Sequence, residues 1–130
     1  MAATEKDRIL VLDDEAPVRD LLYAMLHDEY EVELAKEGQE AVEKCRTTSY
    51  AAILVDIALP GKLDGFQVVE QVRGICAEIR TILITGLALS PEARQRAAAV
   101  ADALLIKPFD IEDVKSLLRR LTVPDGASKR

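Results

Sequence analysis

The chain has 130 residues, which predicts one compact domain around a single hydrophobic core. Apolar residues make up 49% of it and charged residues 31%, and no apolar run approaches the ~20 residues that span a bilayer. The net charge of −6 argues against a general nucleic-acid binder, which usually presents a basic face. Because the amino terminus is polar and lacks the apolar stretch of a signal peptide, we expect a soluble cytoplasmic protein without membrane contacts.

Five short segments have the apolar or alternating pattern of β-strands. In chain order they are 9–12, 31–35, 51–55, 81–84 and 103–106. Each precedes a segment with apolar residues at helical spacing. These helical segments lie within 18–26, 38–45, 66–76, 91–99 and 111–121. Ser90 and Asp110 stand at the N-cap positions of the last two helices.

This alternation predicts an α/β fold of the doubly wound (βα)5 type, a parallel sheet with helices on both faces. We expect one domain over 8–122, preceded by a polar extension at 1–7 and followed by a polar tail at 123–130. Open sheets of this kind place a ligand at the carboxyl ends of the strands, where the strand order reverses.

Polar side chains follow four of the five predicted strands. Asp13 and Asp14 follow the first strand, Asp56 follows the apolar run of the third, Thr85 ends the fourth and Lys107 ends the fifth. Taken singly, the acidic pair could have no role beyond a favourable interaction with the dipole of the following helix. The other residues could be ordinary turn or surface groups. Their common placement at one edge favours a functional site.

In a 2-1-3-4-5 strand order, the first and third strands are neighbours roughly 4.8 Å apart, so Asp13, Asp14 and Asp56 converge. Three carboxylates in one pocket repel each other unless a proton or a divalent cation is bound. Oxygen-only ligands suit Mg²⁺ or Mn²⁺ and disfavour zinc.

A carboxylate beside Mg²⁺ can attack phosphorus and form an acyl phosphate, while the metal neutralises charge on the phosphoryl oxygens. In such a reaction Lys107 can pair with one phosphoryl oxygen and the Thr85 hydroxyl can hydrogen-bond another. The chain has neither a Walker loop nor a G-x-G-x-x-G motif, so the expected donor is a phosphorylated molecule other than a bound nucleotide.

Five sequence features together match one known family. They are VLDDE at 11–15, Asp56 after ILV, LPGKLDGF at 59–66, Thr85-Gly86 and Lys107-Pro108-Phe109. Over about residues 7–122 the chain resembles the receiver domain of bacterial two-component response regulators, a resemblance that also implies the 2-1-3-4-5 strand order.

The resemblance implies a role for each residue of the predicted site. Asp56 is the implied phosphoacceptor, charged by a phosphohistidine on a sensor histidine kinase or a histidine phosphotransfer protein. Asp13, Asp14 and Asp56 form the acidic pocket, with Asp14, Asp56 and the backbone carbonyl of Ala58 as the implied direct Mg²⁺ ligands. Thr85 matches the switch hydroxyl, Lys107 matches the phosphate-pairing lysine, and the bond from Lys107 to Pro108 is expected to be cis.

The resemblance also implies that the face formed by the fourth helix, fifth strand and fifth helix carries the output or a homodimer contact. Five basic residues in this part of the chain are candidates for docking a partner: Arg94, Arg96, Lys115, Arg119 and Arg120. An ordinary solvated face is the alternative. The sequence leaves open whether the chain acts alone or belongs to a larger regulator or hybrid kinase.

Several positions depart from the family pattern. Leu104 stands where an aromatic switch residue is common, and Val100 replaces a glycine near the end of the fourth helix, which therefore should end differently. The loop after Asp56 is one residue longer than usual. Ala58 and Leu87 flank the phosphoryl position and cannot orient an attacking water, so we expect a slowly decaying acyl phosphate.

Two other functions stay open. A phosphatase with an aspartyl nucleophile, such as the haloacid-dehalogenase type, expects a D-x-D pair after the first strand, which Asp13-Asp14-Glu15 does not provide. A receiver-like interaction protein that acts without phosphorylation would share the fold alone. Cys45 and Cys76 are expected to be small buried apolar groups, and His27 a surface residue.

Overall fold

Five parallel strands form one sheet in the order β2-β1-β3-β4-β5 in the computed structural model, which describes residues 6–86 and 88–122. The strands are β1 (Arg8–Leu12), β2 (Glu31–Ala35), β3 (Ala52–Asp56), β4 (Arg80–Thr85) and β5 (Ala103–Ile106). The helices are α1 (Ala16–Leu26), α2 (Gly38–Thr47), α3 (Gly65–Ile75), α4 (Pro91–Val100) and α5 (Ile111–Thr122). The predicted fold class and strand order are confirmed. The predicted tail at 123–130, most of the predicted extension and Leu87 lie outside the described residues.

The sheet separates two hydrophobic layers. Alternate residues of each strand face α2, α3 and α4 on one side and α1 and α5 on the other. In the central strands both faces are covered, so Ile9 to Leu12 and Ala52 to Val55 are all fully buried. This explains why these two strands are continuous apolar runs in the sequence, without the alternation of a half-exposed strand.

Side-chain caps begin three of the helices. The Ser90 side chain accepts a hydrogen bond from the Ala93 amide at 3.1 Å, and the Asp110 carboxylate accepts one from the Asp113 amide at 2.9 Å. Both predicted N-caps are therefore confirmed. At α3, Asp64 and Gln67 form a reciprocal capping box, which fixes this helix directly after the loop that follows β3.

The end of α4 differs from the glycine termination common in receiver domains, as the sequence predicts. Ala101 at the C-cap is extended, with φ −117° and ψ 156°, and its amide still donates to the Ala97 carbonyl. A guanidinium nitrogen of Arg73 donates to the Val100 carbonyl at 2.6 Å. An arginine from α3 thus satisfies one of the carbonyls that a helix end leaves open.

The helical spacing of the apolar residues within 18–26 predicts that Leu21, Leu22 and Leu26 share one buried face of α1, and this is partly wrong. Leu22 and Leu26 are fully buried, but Leu21 is 51% exposed. The contact of α1 with the sheet is a narrow stripe, and Leu21 lies about 100° around the helix from Leu22. None of the helices in the described ranges is long and apolar enough to cross a membrane.

The cysteines and the histidine lie as expected. Cys45 is buried and Cys76 half-buried, and both are free thiols. Burial raises the pKa of the Cys45 thiol to about 11, which matches a small apolar group and opposes a redox role. His27 is exposed, and its ring makes a T-shaped contact with the ring of Tyr23, with the centroids 4.9 Å apart.

Candidate functional site

Three carboxylates meet where β1 and β3 end. Asp13 and Asp14 directly follow β1, and Asp56 is the last residue of β3. The two strands are paired in register with Leu12 opposite Val55, which brings the following residues together. One carboxylate oxygen from each aspartate lies within 4.8 Å of the others, so the predicted convergence is confirmed.

Asp13 is the most constrained member of this acidic group. Its side chain is fully buried, its Oδ1 accepts a hydrogen bond from the Glu15 amide at 2.9 Å, and its amide donates to the Ala35 carbonyl. Its Oδ2 is buried without a hydrogen-bond partner. Burial raises the pKa of Asp13 above its ordinary value of 3.8, and the nearby charge of Asp56 adds to the rise, against the lowering effect of the Glu15 amide.

Lys107 extends from the end of β5 over this acidic group. Its Nζ lies 3.8 Å from Asp13 Oδ2, 3.9 Å from Asp56 Oδ2 and 3.9 Å from Glu15 Oε1. All three distances exceed that of a charge-assisted hydrogen bond. The ammonium therefore partly balances several carboxylates at once without a short hydrogen bond to any of them.

The loop that follows β3 fixes the position of the Asp56 side chain. Asp56 Oδ1 accepts a hydrogen bond from the Ala58 amide at 2.9 Å, and the Gly65 amide donates to the Ile57 carbonyl at 3.1 Å. Gly65 packs so closely that a Cβ there would lie 2.5 Å from the Asp56 carbonyl oxygen. Gly65, the second glycine of the LPGKLDGF segment, thus lets α3 begin directly against the backbone of Asp56. The sequence pattern alone did not reveal this role.

Thr85 and the predicted switch residues lie along β4 and β5. Thr85 is buried at the end of β4 and pairs in register with Ile106, while Leu104 pairs with Leu83. Thr85 and Leu104 therefore lie on the same face of the sheet, with Leu104 one strand repeat farther from the site. The Lys107–Pro108 peptide bond is cis, as predicted.

The chemistry of the donor set fits a hard divalent cation. The three side chains that converge offer only carboxylate oxygens, and one of these oxygens, Asp13 Oδ2, is buried without a partner. Mg²⁺ prefers such ligands, whereas zinc prefers nitrogen and sulfur. The residues present therefore fit the magnesium site that the sequence predicts.

Three of the five basic residues of the candidate docking face have partners within the chain. Lys115 is buried against α1's end, where its Nζ lies 3.0 Å from Asp28, and Arg119 forms a 2.6 Å ion pair with Glu29. The guanidinium of Arg96 lies over an aromatic ring of α3, 4.5 Å from its centroid. Lys115 is therefore withdrawn from the surface, whereas Arg96 and Arg119 have partners within the chain but remain exposed.

The parallel sheet defines a doubly wound α/β protein, and its candidate cation site, next to Lys107, lies where the strand order reverses. The family model for the response regulator receiver domain matches residues 9–119, and the chain belongs to this family. The predicted resemblance is confirmed, and the chain is a receiver domain of two-component signalling.

Individual relatives agree with this assignment. The response regulator MprA of Mycolicibacterium vanbaalenii is 35% identical over 127 residues, covering 94% of this chain and 54% of that protein. The chain thus spans about half the length of this curated relative.

Solved structures give the same result. The chemotaxis protein CheY4 of Vibrio cholerae is similar with a TM-score of 0.82 and 31% identity, over 90% of this chain and 99% of that one. The response regulator TrrA of Thermotoga maritima, solved in complex with Mg²⁺ and BeF, has a TM-score of 0.78 and 33% identity, over 88% and 98% of the two chains.

Proposed function

We propose that Asp56 accepts a phosphoryl group from a phosphohistidine on a sensor histidine kinase or a histidine phosphotransfer protein. An Asp56 carboxylate oxygen forms the new P–O bond as the N–P bond of the phosphohistidine breaks, with its electron pair passing to the imidazole nitrogen. One observation carries the proposal: Asp56 is positioned by the Ala58 amide and faces both Lys107 and the acidic pair at the open edge of the sheet.

Mg²⁺ would be held by Asp14, Asp56 and the backbone carbonyl of Ala58, with Asp13 completing the acidic pocket, and Mn²⁺ is an alternative ion. When bound, the ion neutralises charge on the phosphoryl oxygens. Lys107 pairs with another of these oxygens, since its ammonium already lies near Asp56. The Thr85 hydroxyl donates to a third. The presence of Mg²⁺ in the similar TrrA structure supports this assignment.

Phosphorylation would shift the face formed by α4, β5 and α5, through Thr85 and the adjoining Leu104 and Pro108. Leu104 is half-buried and borders an open groove of about 300 Å³, lined by Ala97 and Ala98 of α4 and by the segment 101–104. A leucine there can change its packing, although it lacks the size of the aromatic switch residue. A homodimer through this face, the absence of direct nucleic-acid binding and a cytoplasmic location stay predictions.

The reaction is tested by incubating the protein with Mg²⁺ and acetyl phosphate or phosphoramidate and measuring its intact mass. We expect one added phosphoryl group, absent in Asp56→Asn and absent when EDTA removes the metal. Sustained phosphate release over many turnovers would instead establish the phosphatase. A protein that takes up no phosphoryl group from any donor would establish the receiver-like interaction protein.

The acyl phosphate is expected to be long-lived, because Ala58 is exposed beside Asp56 and offers no side-chain group that orients water. Ala58→Asn should shorten its half-life roughly tenfold, since a hydrogen bond that aligns the water is worth about 1.4 kcal/mol. The measurement follows the phosphorylated mass after the donor is removed, with Ala58→Val as the apolar control. Rapid loss of phosphate from the wild type, unchanged in Ala58→Asn, contradicts the prediction.

A further inference from the structure

Arg19 of α1 contacts the backbone of the acidic loop. Its guanidinium donates a hydrogen bond from Nη1 to the Asp13 carbonyl oxygen at 2.7 Å, and the arginine is half-buried. The family assignment and the sequence pattern give this residue no role. Its position in α1 would equally suit a solvated surface arginine, so only the structure reveals the contact.

This hydrogen bond closes a short loop between β1 and α1. The Glu15 amide donates to Asp13 Oδ1, and the Glu15 carbonyl accepts from the amides of Val18 and Arg19, each at 3.1 Å. Both neighbours of Asp14 in the chain, Asp13 and Glu15, are therefore hydrogen-bonded to α1. The orientation of the peptide unit between Asp13 and Asp14 is fixed by Arg19 at its carbonyl oxygen.

We propose that Arg19 is a positioning residue for the cation site: its guanidinium fixes the Asp13–Asp14 peptide and thereby aims the Asp14 carboxylate at Mg²⁺. The inference rests on the proposed function, because it takes the ion to be Mg²⁺. Groups that orient the ligands of a metal typically contribute a factor of about 10 to 100 to its affinity.

The direction of the effect separates positioning from simple electrostatics. A guanidinium near a cation site repels the cation, so a purely electrostatic effect would make Mg²⁺ bind more tightly once the charge is removed. Positioning predicts the opposite, because the acidic loop then loses its fixed orientation. A lysine keeps the charge and a donor but not the planar geometry, and should restore binding only in part.

The experiment titrates Mg²⁺ into the metal-free protein by isothermal calorimetry. For Arg19→Met we expect the Kd to rise about 10- to 100-fold and for Arg19→Lys to be intermediate. The matched control is Arg46→Met, which removes an exposed arginine of α2 that pairs with Glu43 at 3.6 Å and should leave the Kd unchanged. Thermal unfolding in EDTA, followed by circular dichroism, verifies that each variant is folded.

An unchanged or lower Kd in Arg19→Met would overturn the positioning role. Should that variant fail to fold, Arg19→Gln carries the test with the same two outcomes, since it also removes the charge and the long reach. A wild-type protein that binds no Mg²⁺ would contradict the proposed function itself. A wild type that binds Mg²⁺ no better than Arg19→Met contradicts only the role of Arg19.

Discussion

Gly65→Ala is expected to destabilise the protein by about 3 kcal/mol, the upper end for an overpacked site. An added Cβ would lie 2.5 Å from the Asp56 carbonyl oxygen and 2.7 Å from the Ile57 Cα. Both are backbone atoms, so no side-chain rotation relieves the overlap and the start of α3 must move. Because these atoms belong to the proposed phosphoacceptor and its neighbour, we also expect slower phosphorylation from acetyl phosphate.

The same helix contains a matched control. A Cβ at Gly74 would meet nothing within 4 Å, and this glycine is exposed in the last turn of α3. Gly74→Ala should therefore stabilise the protein by about 0.5–1 kcal/mol, because alanine loses less backbone entropy in a helix. Urea unfolding measures both variants. If Gly65→Ala unfolds at the same urea concentration as the wild type, the close approach of α3 to Asp56 is wrong.

The strand pattern was predictable because the central strands are buried on both faces. Continuous apolar runs such as Ile9 to Leu12 have few other structural explanations when helical segments alternate with them. The exposure of Leu21 was harder to predict, since its spacing from Val18 and Leu22 allows it to lie on the apolar face of a helix. How wide a stripe the sheet covers depends on the packing of α1 and α5, which local spacing does not encode.

The acidic residues and Lys107 were predictable for a different reason. All of them lie at or just after the carboxyl ends of strands, and parallel strands bring these ends to one edge of the sheet. Arg19 and Gly65 act instead on backbone atoms of other segments, and such contacts leave no periodic signal in the sequence. The ion pairs of Lys115 and Arg119 join residues about 90 positions apart, so only the fold reveals that these two cations are paired.

Asp13→Asn is expected to have opposite effects on stability and on metal binding. Without metal, the wild-type carboxylate is fully buried, its Oδ2 has no hydrogen-bond partner, and the Lys107 ammonium lies 3.8 Å away. Asparagine keeps the size and the oxygen that accepts from the Glu15 amide, but removes the charge. We expect the metal-free variant to gain about 1–2 kcal/mol, a Tm rise of about 3–6 °C.

This gain should depend on pH in a defined direction. Burial raises the pKa of Asp13 in the folded protein above its ordinary value of 3.8. Below that value the group is protonated in the folded and unfolded states alike and contributes no difference. As the pH rises from about 4 through the folded pKa, the unfolded chain ionises first and the wild type loses stability. The advantage of Asp13→Asn should therefore be absent at acidic pH and largest near neutrality.

When Mg²⁺ is added, the wild type should become more stable than Asp13→Asn, the reverse of their order without metal. The ion binds the folded state and stabilises it by an amount that grows with affinity, and each tenfold loss of affinity removes up to about 1.4 kcal/mol at saturating ion. We expect Asp13→Asn to lose 10- to 100-fold in Mg²⁺ affinity, since it removes one of three converging charges.

Thermal unfolding in EDTA and at increasing Mg²⁺ concentration tests both effects in one series. Asp20→Asn is the control, because it removes an exposed aspartate of α1, the helix that follows the acidic loop. It should change the Tm neither in EDTA nor with Mg²⁺. The Tm of the wild type should be lower than that of Asp13→Asn in EDTA and should exceed it as Mg²⁺ is added. Two curves that rise in parallel would show that the buried charge of Asp13 does not serve the cation. A variant less stable in EDTA would show that Lys107 already compensates that charge.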